Sequence, residues 1–290
     1  MNQVVSRPLG VSGVTNPLPA TGGTDADDLG RTRRGVPVPL SALDRLVSVR
    51  DYEDFALAFA GVGKAVARRC PDGTRQLVHV TVAASGDAPL DADSLLLAEL
   101  RSALSRYGDP ALPVRVEVCE RVRLVLALGV RTRPDRSRGA VEQAVRDALV
   151  ARLGFAAAEL ARPVHLSAVV AAAQAVPGVD FVAVDAFGGI AADVDAAGVI
   201  RFARELTAAP CVPAHAAGTR ETLYTPAAGE TAASVAAVNG LDEAQLALLN
   251  PGAAAPTPGS ALVVRRALRP AQLVLLDPAL PETLVLRRIP

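Results

Sequence analysis

Tryptophan is absent from this chain, and aromatic residues make up only 3% of its 290 positions. Single-stranded nucleic acids and sugars are commonly held against stacked rings, so both kinds of recognition have little to stand on. Lysine is almost missing too: Lys64 is the only one, and arginine supplies the remaining positive charge. Acidic and basic residues balance at 30 each, so no net field draws the chain to nucleic acid or to an anionic membrane. The three cysteines, Cys70, Cys119 and Cys211, are too widely spaced for a CxxC site and odd in number, which excludes a full disulfide framework. No apolar run approaches the ~20 residues of a membrane helix, and the opening MNQVVSRPLGVSG lacks the apolar core of a signal peptide. These absences describe a soluble protein made in a reducing cytoplasm, which would leave the cell only as part of a larger particle.

Catalytic patterns are also missing. GVGKA at 61–65 has the look of a phosphate loop, but the first glycine of that motif is replaced by Ala58 and its Ser or Thr by Ala65. It also follows a helix pattern instead of a strand, so it reads as a helix stop. His79, His165 and His215 are scattered, with no HExxH or His/Cys cluster. A GxSxG elbow is absent, and Asp25, Asp27 and Asp28 lack the glycine and glutamate of a calcium loop. Arg131, Arg133, Arg136 and Arg138 read as a charged strand-to-helix turn. The sequence therefore nominates no catalytic residue, no cofactor and no metal ligand, and the chain does not read as an enzyme.

What is present is an organisation of small units. Residues 1–40 form an arm in which Pro17, Pro19, Gly22 and Gly23 forbid regular structure and three aspartates favour solvent. A helix follows from Ser48, with Asp51 three residues on as an acidic capping box, and Tyr52, Phe55 and Phe59 on one face. Residues 41–120 then read as helix, hairpin, helix and strand. The hairpin joins 62–69 to 76–84 through Pro71, Asp72 and Gly73, the second helix is capped by Asp91 and stopped by Gly108, and 114–118 closes the sheet. Residues 121–205 form a second unit, with a strand at 122–131, a helix from Ser137 to Gly154, a short helix opened by Ser167, and a strand at 179–184. Its helix, glycine turn and strand repeat the order seen at 51–66. The stretch 186–218 reads as a connector with one short strand at 199–202, and the linker proper is placed at 206–221. A βααβ unit occupies 222–266, and 267–290 is left as a tail. The fold class is α+β: two small mixed-sheet units in tandem, an extended arm before them and a βααβ unit after.

The segments NPLPATGGTD, RDYEDFALAFAGVGKA and VHLSAVVAAAQAVPGVD together resemble the baseplate J-like family of contractile phage tails and extracellular contractile injection systems. That resemblance implies a structural, non-catalytic protein of the baseplate wedge, oligomeric in its particle, built in the cytoplasm and found in a virion-like body. Its partners would be other wedge proteins, copies of itself or a paralogue, the central hub and sheath-proximal parts. The interface residues nominated are Asn16, Pro17, Pro19, Gly22, Gly23, Arg50, Asp51, Tyr52 and Phe55. Further along, GET at 229–231, LLNP at 248–251 and PGS at 258–260 resemble a LysM module. That second resemblance implies contacts at Gly229, Glu230, Thr231 and Asn250. They would serve protein docking or, in the alternative reading, binding of peptidoglycan at the cell wall. Docking is favoured because Tyr224 is the only nearby ring.

Overall fold

The structure, a computed structural model, describes residues 46–71, 75–252 and 256–289. Three packed regions can be built up from local signals. Helix α1 (Val49–Ala58) starts where Ser48 Oγ accepts from Asp51 N and the Asp51 carboxylate accepts from the Ser48 amide at 2.7 Å, a reciprocal capping box. After the helix, Gly61 turns the chain with φ of 89°. Strand β1 (Val62–Pro71) then pairs antiparallel with β2 (Gln76–Ala84). Helix α2 (Leu95–Tyr107) follows, and β3 (Val114–Val118) returns parallel to β2. Ser94, not Asp91, occupies the N-cap of α2, without a side-chain bond. The alternation of β2 sends Val78, Val80 and Val82 into a core with Tyr52, Leu97, Leu100 and Leu104.

Only Cys119 separates β3 from β4 (Glu120–Thr132), the central strand of a second sheet. Helix α3 (Arg138–Leu153) lays Val141, Val145, Leu149 and Leu153 on that sheet, every fourth residue facing it. The pair β5 (Val164–His165) and β7 (Cys211–Val212) brackets helix α4 (Leu166–Gln174) and strand β6 (Val179–Ala191). Here His165 takes the N-cap position expected one step later, before Ser167. Strand β6 runs from Val179 to Ala191, far beyond the expected 179–184, and pairs antiparallel with β4 along its length. It extends because Gly188 and Gly189 leave room for Leu206, Val212 and Val122, which a Cβ would strike at 2.5 to 2.8 Å. The glycines that read as a connector are thus close-packing positions. Residues 199–202 form no strand: they belong to helix α5 (Ala196–Glu205), started by Asp195 Oδ1 accepting from Gly198 N at 2.8 Å.

The third region is an insertion. Strand β8 (Gly218–Tyr224) leaves the second unit, helices α6 (Ala232–Val238) and α7 (Glu243–Leu249) follow, and β9 (Leu262–Arg269) returns antiparallel to β8. The expected order βααβ is observed, with β8 longer at its start than the sequence suggested. Residues after it are no tail. Strands β10 (Gln272–Leu275) and β11 (Leu284–Arg288) both pair parallel with β4, opposite the edge taken by β6. Residues 272–288 therefore complete the sheet to which β4 belongs.

Candidate assembly surfaces

The nominated interface residues fall into two groups. Asn16, Pro17, Pro19, Gly22 and Gly23 lie outside the described residues. Of the nominated residues in α1, Arg50 is exposed and forms an ion pair with Asp54 at 3.8 Å. The Asp51 carboxylate is held by the backbone amides of Ser48 and Val47, which keeps its pKa below the ordinary carboxylate range. Tyr52 is 1% exposed, and its hydroxyl accepts from Asp109 N at 3.1 Å. Asp51 thus caps the helix and Tyr52 fills the core beneath it. Phe55 is half-buried between Phe59 at 6.4 Å and Tyr107 at 5.7 Å, a tilted aromatic row at the rim of α1 and α2.

Lys64 sits on β1 beside the second unit. Its ammonium lies 4.8 Å from the Phe155 ring centre and 3.4 Å from Ala156 O. The lysine that invited a phosphate reading therefore packs one unit on another.

In the inserted unit, Gly229 is exposed with φ of 91°, where glycine costs nothing. Glu230 accepts from the Tyr224 hydroxyl at 2.8 Å and from Ala227 N at 2.8 Å, which raises the phenol's pKa. Thr231 caps α6 in a capping box with Ser234. Asn250 receives Val263 N at 2.8 Å and donates to Val263 O and Leu246 O, stitching α7 to β9. The polar side chains nominated as ligand contacts are spent inside the unit, and so is its only ring. Three apolar side chains also face outward: Leu223, Val238 and Leu248 are 60%, 70% and 77% exposed.

Sequence reasoning missed the junction. On the back of the first sheet, His79 and Thr81 are fully buried. His79 Nε2 lies 2.9 Å from Glu117 Oε2, and Thr81 Oγ1 lies 3.3 Å from His79 Nδ1 while accepting from Ala271 N at 3.0 Å. A polar chain thus runs from β3 through β2 to the segment entering β10. Arg269 clamps Glu120 with two bonds nearby, at 2.7 and 3.0 Å. Apolar contact reinforces the seam: Ala83 and Cys119 pack with Leu273 and Leu275. Only the alternation of β2 hinted at this, since His79 and Thr81 occupy a face that isolation would leave wet. Among the described residues no cluster of three or more His, Cys, Asp or Glu could hold a metal, and no helix is long and apolar enough to cross a membrane.

Among the described residues, two further surfaces are exposed. The far half of the second sheet's outer face carries Phe181 and Val285, each 48% exposed, with Arg131 over the Phe181 ring and Arg287 bonded to Asp185. The outer edge of β3 is bordered by Ala92, Leu97, Arg101 and Pro270, which form a shallow groove with the strand.

No curated protein matches the chain. One chain of the solved cryo-EM structure of the anti-feeding prophage (AFP) baseplate, 6-fold symmetrised, aligns at 15% identity with a TM-score of 0.41. The alignment covers 66% of this chain and 44% of that one, so this chain spans less than half of that relative's length. Residues 44–117, the span of β1, β2, β3, α1 and α2, are similar to the Baseplate J-like central domain.

Proposed function

We propose that the protein is a structural component of the baseplate of a phage tail-like contractile particle, working by assembly and without catalysis. The observation that carries this reading is the Baseplate J-like central domain match over 44–117, which coincides with one complete folded unit instead of a fragment of one. The surfaces support it: the outward features are a sheet edge, an aromatic rim and apolar patches, the materials of protein contacts. In the wedge, the first unit would contact neighbouring wedge proteins, and the inserted unit 218–269 would dock a hub or sheath-proximal protein through Leu223, Val238 and Leu248. The internal use of Glu230, Thr231, Asn250 and Tyr224 favours protein docking there over glycan binding.

The test is sedimentation of tagged protein in a density gradient of contractile particles from its own source. The chain is expected in the particle fraction at a fixed ratio to other baseplate proteins. Recovery only as free protein, with complete particles elsewhere in the gradient, would overturn the reading.

A further inference from the structure

Strand β3 carries the sequence Val114, Arg115, Val116, Glu117, Val118, which is its own complement when reversed. Its inner edge is used: Val78 N donates to Pro113 O and Cys119 N to Val82 O. Residues 113, 115, 117 and 119 therefore turn their backbone groups toward β2, and 114, 116 and 118 turn theirs outward. The sheet ends there, in the order β1-β2-β3. The opposite edge is treated differently, since the Glu53 side chain accepts from Ala67 N of β1 at 3.0 Å and β8 lies alongside, with Thr219 Oγ1 donating to Pro71 O. Such blunting discourages pairing. On β3, among the described residues, one long bond reaches the outward backbone, Arg101 Nη2 to Val116 O at 3.4 Å.

We infer that β3 is a homotypic pairing edge: two copies of the chain join antiparallel through it, with Val116 opposite Val116 of the second copy. In this register Val114 faces Val118 of the second copy, and the outward amides and carbonyls of 114, 116 and 118 exchange hydrogen bonds. Arg115 then stands opposite Glu117 of the second copy at the non-hydrogen-bonded positions, where side chains approach most closely. The same holds in reverse, so both charge pairs are complementary. Arg115 uses Nε on its own Glu117 at 2.6 Å, which leaves its two terminal amino groups for the second carboxylate. Moving the register by two residues would lose both charge pairs and set Arg115 against Arg115, or Glu117 against Glu117, of the second copy. Arg101 releases Val116 O as the strand enters the groove. For its biological purpose the inference rests on the assembly reading above.

The experiment is sedimentation equilibrium of the full chain over a wide concentration range, with Arg115→Glu, Glu117→Arg, the double variant and a mixture of the two singles. Circular dichroism confirms that each folds. The wild type is expected to dimerise with rising concentration, and each single to weaken dimerisation about tenfold or more, because two opposed pairs become like-charged. Mixing the singles restores association as a mixed dimer, and the double variant dimerises as the wild type does. Since Glu117 also bonds His79, Glu117→Arg could fail to fold. Hydrogen exchange then decides between wild type and Arg115→Glu: protection of the Val116 amide must grow with concentration only in the wild type. A wild type monomeric throughout, a dimer indifferent to Arg115→Glu, or singles that fail to rescue each other would overturn the inference. If pairing fails while the chain still enters particles, the assembly reading stands alone.

Discussion

Thr81→Val tests the seam between the first unit and the returning strand. The change keeps the shape of a fully buried side chain and removes its hydroxyl. Ala271 N, itself in a fully buried residue, then loses its acceptor at 3.0 Å. Orphaning a buried donor costs about 1 to 3 kcal/mol. The weaker contact to His79 Nδ1 at 3.3 Å adds on the order of 0.5 to 1 kcal/mol. The expected loss is thus about 1.5 to 4 kcal/mol, read by urea unfolding and by faster exchange of the Ala271 amide. Thr81→Ser is the control: it keeps the hydroxyl and deletes a methyl group, for about 1 kcal/mol. If Thr81→Val proves no worse than Thr81→Ser, the polar chain across the seam is not holding the units together.

Ser48→Ala removes half of the α1 capping box and should cost about 1 kcal/mol by chemical denaturation, with a smaller effect for Ser48→Gly. Asn250→Leu deletes two hydrogen bonds to β9 and one to the end of α7, so residues 218–269 should become sensitive to proteolysis while the other two units keep their protection. Glu117 and Glu120 have pKa values lowered by hydrogen bonds from His79 and Arg269 respectively. Their stabilisation is therefore complete above the ordinary glutamate value of about 4.3 and is lost as pH falls through the lower folded values. Urea midpoints should stay level from neutral pH to about 5 and drop below about 4, with Glu120→Gln flattening part of the drop. Purified peptidoglycan should retain neither wild type nor Asn250→Ala, and retention of the wild type alone would restore the glycan reading.

The local signals were legible where short-range chemistry decides the outcome. Ser48 and Asp51 announce a capping box, Gly108 and Gly154 stop helices at once, and the valines of β2 declare its buried face. The failures have physical causes. The run Val199–Phe202 is apolar and looks like a strand, yet Asp195 starts a helix and Val199 is its buried contact, a 3.6-residue period too short to notice in ten residues. Gly188 and Gly189 read as loop because a sequence does not reveal that Leu206 and Val212 fill the space above them. The return of β10 and β11 to β4 is a pairing across about half the chain, and no local pattern encodes its partner. The same holds for the candidate sites. Glu230, Thr231 and Asn250 stand out in the sequence by their spacing, but the hydrogen bonds they make within the unit are not legible there.

The central claim is that this chain is a part from which a baseplate is built. Electron microscopy of contractile particles from cells lacking the chain tests it most directly. The account predicts tails or sheaths without an intact baseplate, restored when the chain is resupplied. Complete, contraction-competent particles assembled in its absence would contradict it.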